Sequence, residues 1–241
     1  MTGSIPLQRL LSLCLAVLHS FTSYAGWNSS DKNDEGAAAL LLEGNLEQGR
    51  LIYEECAVCH MPEGWGTPNG AYPQIAGQHR SVVIKQLADI RAKNRDNPSM
   101  YPFAIPEEIG GVQSIADVAL YIENLKMTTA TGKGSGEDLA YGEQLYKEQC
   151  SDCHGAKGEG EQTKAYPLIQ GQHYLYLLRQ LTWIQNGKRR NANKEMMGVI
   201  RDYTPRELKA LSDYISRLLP SEERRSPFTW KDRNRAKAFG E

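Results

Sequence analysis

The chain has 241 residues, of which 40% are hydrophobic and 24% are charged, and its formal net charge at pH 7 is −1. That length allows one or two domains of ordinary size. A charge so close to neutral gives no indication of a nucleic-acid partner, and no run of about 18 apolar residues is available to span a membrane.

Residues 1–25 have the pattern of a secretory signal peptide. Arg9 supplies a positive charge, residues 10–18 form a short apolar core, and Ser23 and Ala25 stand at the −3 and −1 positions of a cleavage site. Cleavage there removes Cys14 and leaves a formal charge of −2. The pattern predicts export to the periplasm, with no transmembrane segment in the mature chain.

Two C-x-x-C-H motifs hold the four remaining cysteines. They lie at Cys56, Cys59 and His60 and again at Cys150, Cys153 and His154. Cysteines three positions apart share one face of a helical turn, so both sulfurs reach the vinyl groups of one porphyrin, and the adjacent histidine becomes an axial ligand of its iron. The motifs therefore predict two covalently bound haem c groups.

Two other uses of paired cysteines fit this pattern poorly. Zinc sites join C-x-x-C pairs that lie about 15–20 residues apart, whereas the first cysteines of these pairs are 94 residues apart. A thioredoxin-like dithiol occurs once and has no use for the adjacent histidine. Because no cysteine remains outside the motifs, none is available as a nucleophile or as a distal iron ligand.

The residues around the motifs repeat at the same spacing, which indicates an internal duplication. The segments Tyr72-Pro73, Ile75, Gly77-Gln78-His79 and Gln86-Leu87 recur 94 positions later as Tyr166-Pro167, Ile169, Gly171-Gln172-His173 and Gln180-Leu181. This repeat predicts a flexible leader over 26–43, a first module over 44–127, a linker over 128–136, a second module over 137–220 and a basic tail over 221–241.

Each module ends in a predicted helix with an apolar stripe. The stripes are Ile115, Val118, Ile122 and Leu125 in the first module and Leu208, Leu211, Ile215 and Leu218 in the second. Thr204, Pro205 and Glu207 form a capping-box pattern at the start of the second of these helices. Since no apolar–polar alternation indicates a sheet, we expect an all-α fold of two modules, each packed around a haem.

The ligand on the other side of each iron decides between electron transfer and catalysis. In the first module Met100 is the best candidate, because Met61 directly follows the haem-ligating histidine and Met127 ends the last helix. In the second module the neighbours Met196 and Met197 are both candidates. A methionine at each iron would favour electron transfer.

Two further pairs of residues recur near the irons. His79 and His173 are rival ligands, but their place at a helix N-terminus favours a polar role there or at the interface between the modules. Pro73 and Pro167 follow the haem motifs at equal distances, where a backbone carbonyl can accept the second ring N–H of the ligating histidine. We therefore expect both prolines to help hold the haem ligands.

Together these motifs resemble the class I cytochromes c, and more closely the tandem di-haem cytochromes of the c4 type. The resemblance covers residues 44–127 and 137–219, and it rests on G-x-x-x-Y before C-x-x-C-H, then Tyr-Pro-x-Ile-x-Gly-Gln, Gln-Leu, a methionine loop and a closing helix. It implies two cytochrome c folds related by a pseudo-twofold axis, with the haem propionates near the interface. It also implies a carrier, not an enzyme, that cycles between Fe(III) and Fe(II).

The resemblance assigns ligands and partners as well. Met100 and Met196 match the axial methionine, the second because that methionine commonly precedes a Ser or Thr N-cap by eight residues, as Met196 precedes Thr204. Pro73 and Pro167 match the proline whose carbonyl accepts from the ligating histidine. The partners it implies are a membrane-bound or periplasmic donor and a terminal oxidase or other acceptor.

Three departures from the family pattern all fall in the first module. Met61 stands where the second module has Gly155, and one residue is missing before Cys56 relative to the second copy. Extra sequence over 105–111 also separates Met100 from the closing helix. Ligation in the first module is therefore the more open question.

Other functions remain as alternatives. One is the di-haem subunit of a periplasmic dehydrogenase, similar to flavocytochrome sulfide dehydrogenase. Another is a di-haem enzyme such as a thiosulfate dehydrogenase or a peroxidase, against which stand the absence of a spare cysteine and the presence of methionines for both irons. The tail over 221–241 carries six basic and four acidic residues, and its composition favours a solvated end over a docking segment.

Overall fold

The computed structural model describes residues 34–227. The predicted signal peptide and the end of the tail, with Phe228 and Trp230, lie outside the described residues. Within that range the structure contains helices and isolated bridges but no strand, in agreement with the predicted all-α class. The helices are α1 (Asp34–Leu41), α2 (Leu46–His60), α3 (Arg80–Arg91), α4 (Tyr101–Ala104), α5 (Pro106–Ile109), α6 (Val112–Asn124), α7 (Leu139–Gln149), α8 (Ser151–His154), α9 (Tyr174–Gln185), α10 (Lys194–Ile200) and α11 (Pro205–Arg217), followed by a 3₁₀ turn (Glu222–Arg224).

The helices form two bundles with the same arrangement. In the first, α6 packs against α2 and α3, and in the second, α11 packs against α7 and α9. The crossings are close because a glycine faces the partner backbone in each: a Cβ on Gly49 would lie 2.2 Å from the Asp117 carbonyl oxygen, and one on Gly142 would lie 2.2 Å from that of Ala210. The duplicated glycine of the G-x-x-x-Y motif is thus a packing requirement.

The predicted stripes of α6 and α11 line the two hydrophobic cores. Of these side chains, six are buried and two are partly buried at the helix ends: Ile115, Val118, Ile122, Leu208, Leu211 and Ile215, then Leu125 and Leu218. The capping box is present, since Thr204 accepts from the Glu207 amide and the Glu207 carboxylate accepts from the Thr204 amide. Both helix predictions are confirmed.

The residue that the first copy lacks changes the haem-motif helix. α2 runs without a break through Cys56 to His60, whereas the second copy breaks at Cys150 into α7 and α8. Even so, the Tyr53 hydroxyl donates to the Met61 carbonyl (2.9 Å) and the Tyr146 hydroxyl donates to the Gly155 carbonyl (2.6 Å). The break absorbs the extra residue, so both tyrosines reach the carbonyl just after the motif.

Both ends of the described chain are more ordered than the composition predicted. Residues 34–41 of the predicted leader form α1, whose Ala39 is fully buried in the first core. Residues 221–227 of the tail return to the first module, where the Met127 amide donates to the Arg224 carbonyl and the Ser226 amide to the Met127 carbonyl, both at 2.8 Å. The backbone of this part is therefore paired with the first module, although Ser221, Glu222, Glu223 and Pro227 remain exposed to solvent as predicted.

The linker is anchored to the second module, and an apolar cluster packs between the two modules. Thr128 and Thr131 are buried, and Asp213 accepts from the amides of Gly134 (3.0 Å) and Gly136 (2.7 Å). A small apolar cluster joins the modules through Trp65, Ala76, Met127 and Leu168. Over residues 34–227, no helix is both long enough and apolar enough to cross a bilayer.

Candidate haem centres

The two motif histidines have the same environment. His60 and His154 are buried at the ends of α2 and α8. Their Nδ1 atoms lie 3.1 Å from the Pro73 carbonyl oxygen and 2.9 Å from that of Pro167. With Nδ1 donating to the carbonyl, Nε2 is the atom left for a metal. Burial lowers the pKa of both imidazoles, which favours the neutral form that binds iron.

The cysteines suit attachment of a large apolar group. Cys56 and Cys150 are buried in the two cores, whereas Cys59 is partly buried and Cys153 is exposed, and none of the four is in a disulfide. Burial raises the pKa of the Cys56 and Cys150 thiols to about 12, the opposite of a reactive dithiol, whose pKa is lowered. In the described range no three His, Cys, Asp or Glu side chains form a metal-binding group, and the two C-x-x-C pairs remain apart.

The candidate methionines lie beside the same cores. Met100 precedes α4 and packs, partly buried, against the first core. Met196 and Met197 are both on α10 and both contact the second core, but neighbours on a helix point about 100° apart. Met197 also lines a shallow surface pocket with Gln185 and Arg201.

Two side chains that the sequence interpretation missed hold the methionine segments. Arg91, at the end of α3, donates to the Ala104 carbonyl and to the Gly110 carbonyl (2.7 Å). Gln185, its counterpart 94 residues later at the end of α9, donates to the carbonyls of Ile200 (2.9 Å) and Tyr203 (2.7 Å). The available signal was a long donor side chain at the same repeat position in both copies.

A cluster of arginines and glutamines joins the modules, with the glutamines on α3 and α9 and the arginines in the loops that follow these helices. Arg95 Nη1 donates to Gln86 Oε1 (2.8 Å), and Arg189 donates to Gln180 Oε1 (3.0 Å) and to Gln86 Oε1 (3.1 Å). Burial, followed by repulsion from Arg95, lowers the pKa of Arg189 to about 10. These residues again stand 94 apart, so the cluster is itself pseudo-symmetric.

The cluster carries more positive than negative charge. Its carboxylate, Asp89, is fully buried and already accepts from Lys85 Nζ (2.7 Å) and from Asn191 Nδ2 (2.8 Å). The guanidinium groups of Arg95 and Arg189 therefore lack a carboxylate of their own in this cluster. An excess of partly buried guanidinium fits an anionic group such as a porphyrin propionate.

The side chains of the two interface histidines bond across the interface. His79 Nε2 lies 2.7 Å from the Glu159 carbonyl oxygen, and His173 Nε2 lies 2.7 Å from that of Trp65. Each bond connects one module to the other. The prediction of an interface role for His79 and His173 is confirmed.

Comparisons with known proteins find the same family over both modules. The cytochrome c family model matches residues 46–126 and again 139–219. Cytochrome c4 of Azotobacter vinelandii is 32% identical over 73% of this chain and 90% of its own length. A protein of Stutzerimonas stutzeri named thiosulfate dehydrogenase electron acceptor is 29% identical over 75% of this chain and 92% of its own length.

Solved structures show the same similarity. Reduced cytochrome c4 from Pseudomonas stutzeri superposes with a TM-score of 0.65 at 27% identity, covering 73% of this chain and 99% of that one. A thiosulfate dehydrogenase from Marichromatium purpuratum superposes with a TM-score of 0.62 at 28% identity, covering 78% of this chain and 43% of that one.

Proposed function

This chain belongs to the cytochrome c family as a di-haem electron carrier with two covalent haem c groups, and we propose that it works in the periplasm with two His/Met irons. The first iron takes His60 and Met100, and the second takes His154 and Met196. The observation that carries this assignment is the Nδ1 bond from each motif histidine to a proline carbonyl, because it orients the ring and leaves Nε2 for iron.

The chain's own residues hold the group and limit what it does. Cys56 and Cys59 in the first module, like Cys150 and Cys153 in the second, supply the sulfurs of the two thioether bonds. When bound, the haem supplies a reversible one-electron Fe(III)/Fe(II) couple. A methionine thioether bound to each iron would close the position that a substrate would need.

We assign the arginine cluster to the anionic edges of the two haems. Arg95 and Arg189 present guanidinium donors without a carboxylate of their own, and Gln86 lies hydrogen-bonded to both. A planar guanidinium binds a carboxylate through two parallel bonds. Because each arginine belongs to a different module, propionates held here would lie at the interface.

For the partners we propose a periplasmic dehydrogenase as donor and a terminal oxidase or other redox protein as acceptor. The relative named as an electron acceptor of thiosulfate dehydrogenase supports a donor of that class, and so does the similarity to part of a thiosulfate dehydrogenase chain. Rapid reduction of the purified protein by such an enzyme with its substrate would support this pairing. Reduction no faster than that of an unrelated cytochrome c would contradict it.

An optical spectrum of the oxidised protein tests the ligands. Met–Fe(III) ligation at both irons predicts a weak band near ~695 nm at a strength for two haems. We expect Met100→Leu and Met196→Leu each to remove half of it, and Met197→Leu, the neighbouring control, to leave it intact. Loss of half the band in Met197→Leu would exchange the roles of the two methionines, and a high-spin spectrum in the unmodified protein would contradict the carrier with two closed irons.

A further inference from the structure

The peptide groups that follow the two prolines make a second, unassigned contact. The Pro73–Gln74 peptide accepts from His60 Nδ1 through its carbonyl, and its N–H, on Gln74, donates to Gln172 Oε1 of the other module (3.0 Å). The Pro167–Leu168 peptide accepts from His154 Nδ1, and its N–H, on Leu168, donates to Gln78 Oε1 (3.0 Å). We call these two groups the proline peptides.

Each glutamine is held in place by a second bond to the same loop. Gln172 Nε2 donates to the Gln74 carbonyl (2.8 Å), and Gln78 Nε2 donates to the Leu168 carbonyl (2.8 Å). Each Oε1 also accepts from the backbone amide of the histidine that follows it, which is His79 for Gln78 and His173 for Gln172. The amide plane is therefore oriented from three sides, with its oxygen towards the proline peptide of the other module.

This geometry makes a continuous line of hydrogen bonds from one module to the iron ligand of the other. A peptide whose N–H is bonded becomes a stronger acceptor at its carbonyl, since hydrogen bonds in a chain polarise one another. A stronger bond at Nδ1 makes the imidazole a more basic ligand, and a more basic ligand favours the ferric state.

We propose that Gln78 and Gln172 are positioning residues for the opposite haem: Gln78 adjusts the second haem through His154, and Gln172 adjusts the first haem through His60. Each module thereby sets part of its partner's reduction potential. This inference rests on the proposed histidine ligands. It assigns a role to two glutamines that act on those histidines only through the proline peptides.

Reduction potentials measured haem by haem test the proposal. We expect Gln78→Leu to raise the potential of the second haem and leave the first unchanged, and Gln172→Leu to do the reverse. The expected size of the change is about threefold in the ratio of reduced to oxidised haem at a fixed applied potential. This corresponds to a shift of ~28 mV, at 59 mV per tenfold. Paramagnetic NMR during a redox titration separates the two haems, because the hyperfine-shifted methyl resonances of each can be followed individually.

The variants also have a readout that a loosened interface would not produce. The Nδ1 proton of the opposite histidine loses hydrogen-bond strength in each leucine variant, so its NMR resonance should move upfield in the reduced protein, and only at that haem. Gln78→Glu keeps an acceptor for the Leu168 amide, so we expect the second potential to stay at or below its original value. This conservative variant also remains informative if Gln78→Leu does not fold.

His79→Asn is the matched control. It removes another bond from the first module to the loop of the second, that to the Glu159 carbonyl, without touching a proline peptide. We expect it to leave both potentials unchanged. Equal shifts of both haems in Gln78→Leu, a shift of the same haem and size in His79→Asn, or a raised second potential in Gln78→Glu would overturn the inference.

The experiments distinguish a failure of the proposed ligands from a failure of the proposed glutamine role. If the ligands are wrong, the optical spectrum of the unmodified oxidised protein lacks the expected methionine band. A normal spectrum combined with unmoved potentials in both leucine variants overturns the glutamine role alone.

Discussion

The two modules are alike around the motif histidines and different around the candidate methionines. The bonds from His60 to Pro73 and from His154 to Pro167 agree within 0.2 Å, from 3.1 to 2.9 Å. In contrast, Met100 precedes two short helices, whereas Met196 lies within a single helix, α10. The duplicated fold therefore keeps the histidine–proline contact in both copies, while the methionine segment differs between them.

Arg91 and Gln185 hold the segments that follow the candidate methionines, but they do so with different bonds. Arg91 reaches two carbonyls across α4 and α5 and also pairs with Glu35 of α1 at 2.5 Å. Gln185 has no such ion pair and bonds only carbonyls near α10 and the following turn. The longer first segment is thus held by a charged side chain and the shorter second segment by a neutral one.

The largest effect is expected from removing these two side chains. Arg91→Met should lower the free energy of unfolding by about 3–5 kcal/mol, because it leaves a partly buried Glu35 carboxylate and two carbonyls without their donor. Gln185→Met should cost about 1–3 kcal/mol, since only neutral bonds are lost. Denaturant unfolding of the haem-loaded protein measures both, and equal losses would mean that the two segments are held in the same way.

The next largest effect is expected where the modules are the same. Gly49→Ala and Gly142→Ala each place a Cβ 2.2 Å from a backbone carbonyl oxygen, so each should cost about 2–3 kcal/mol through forced separation of the helices. Thermal unfolding should show similar losses for both. A loss in one variant alone would show that the two crossings are not equivalent.

Smaller effects, opposite in sign for the two modules, are expected from substitutions just after the haem motifs. Met61 has φ 69° and ψ 156°, a region that favours glycine, and Gly155 occupies the matching place with φ 79°. Met61→Gly should therefore stabilise the protein by about 1 kcal/mol, and Gly155→Ala should destabilise it by about 1–2 kcal/mol. Unchanged stability in Met61→Gly would mean that its side-chain contacts offset the backbone strain.

The smallest effect is a pH dependence that comes from Lys133 in the linker, and it is small because this residue is exposed and solvent screens its charge. Burial, then repulsion from Arg217, lowers the pKa of Lys133 to about 8 from its ordinary 10.5. Between these values the unfolded chain binds more protons than the folded one, so stability should increase from about pH 8 to about pH 10.5. Lys133→Met should flatten that increase in denaturant titrations, and an unchanged slope would assign it to other groups.

Much of each module could be predicted from short-range patterns. The C-x-x-C-H spacing, the capping box at Thr204 and the stripes of α6 and α11 depend on residues within one or two helical turns of each other. The bond to Pro73 could be predicted as well, because the proline follows its histidine by the same short interval in both copies. The ligand assignment itself remains a prediction until the spectra are measured.

Contacts between segments that are distant in the sequence could not be predicted from those short-range patterns. The composition of residues 34–41 resembles a loose leader, yet Ala39 is buried in the first core, where α1 contacts α3 and α6. The return of residues 221–227 to Met127 depends likewise on the position of the first module.

The sequence by itself determined the closing helices, the duplication and the two C-x-x-C-H motifs that predict haem attachment, because local spacing alone decides which side chains share a helical face. Only the tertiary structure decided that Gln78 and Gln172 each bond the proline peptide of the opposite module. The physical reason is that a side-chain amide accepts whichever N–H the packing brings to it, and the relative placement of two modules is set by the whole interface.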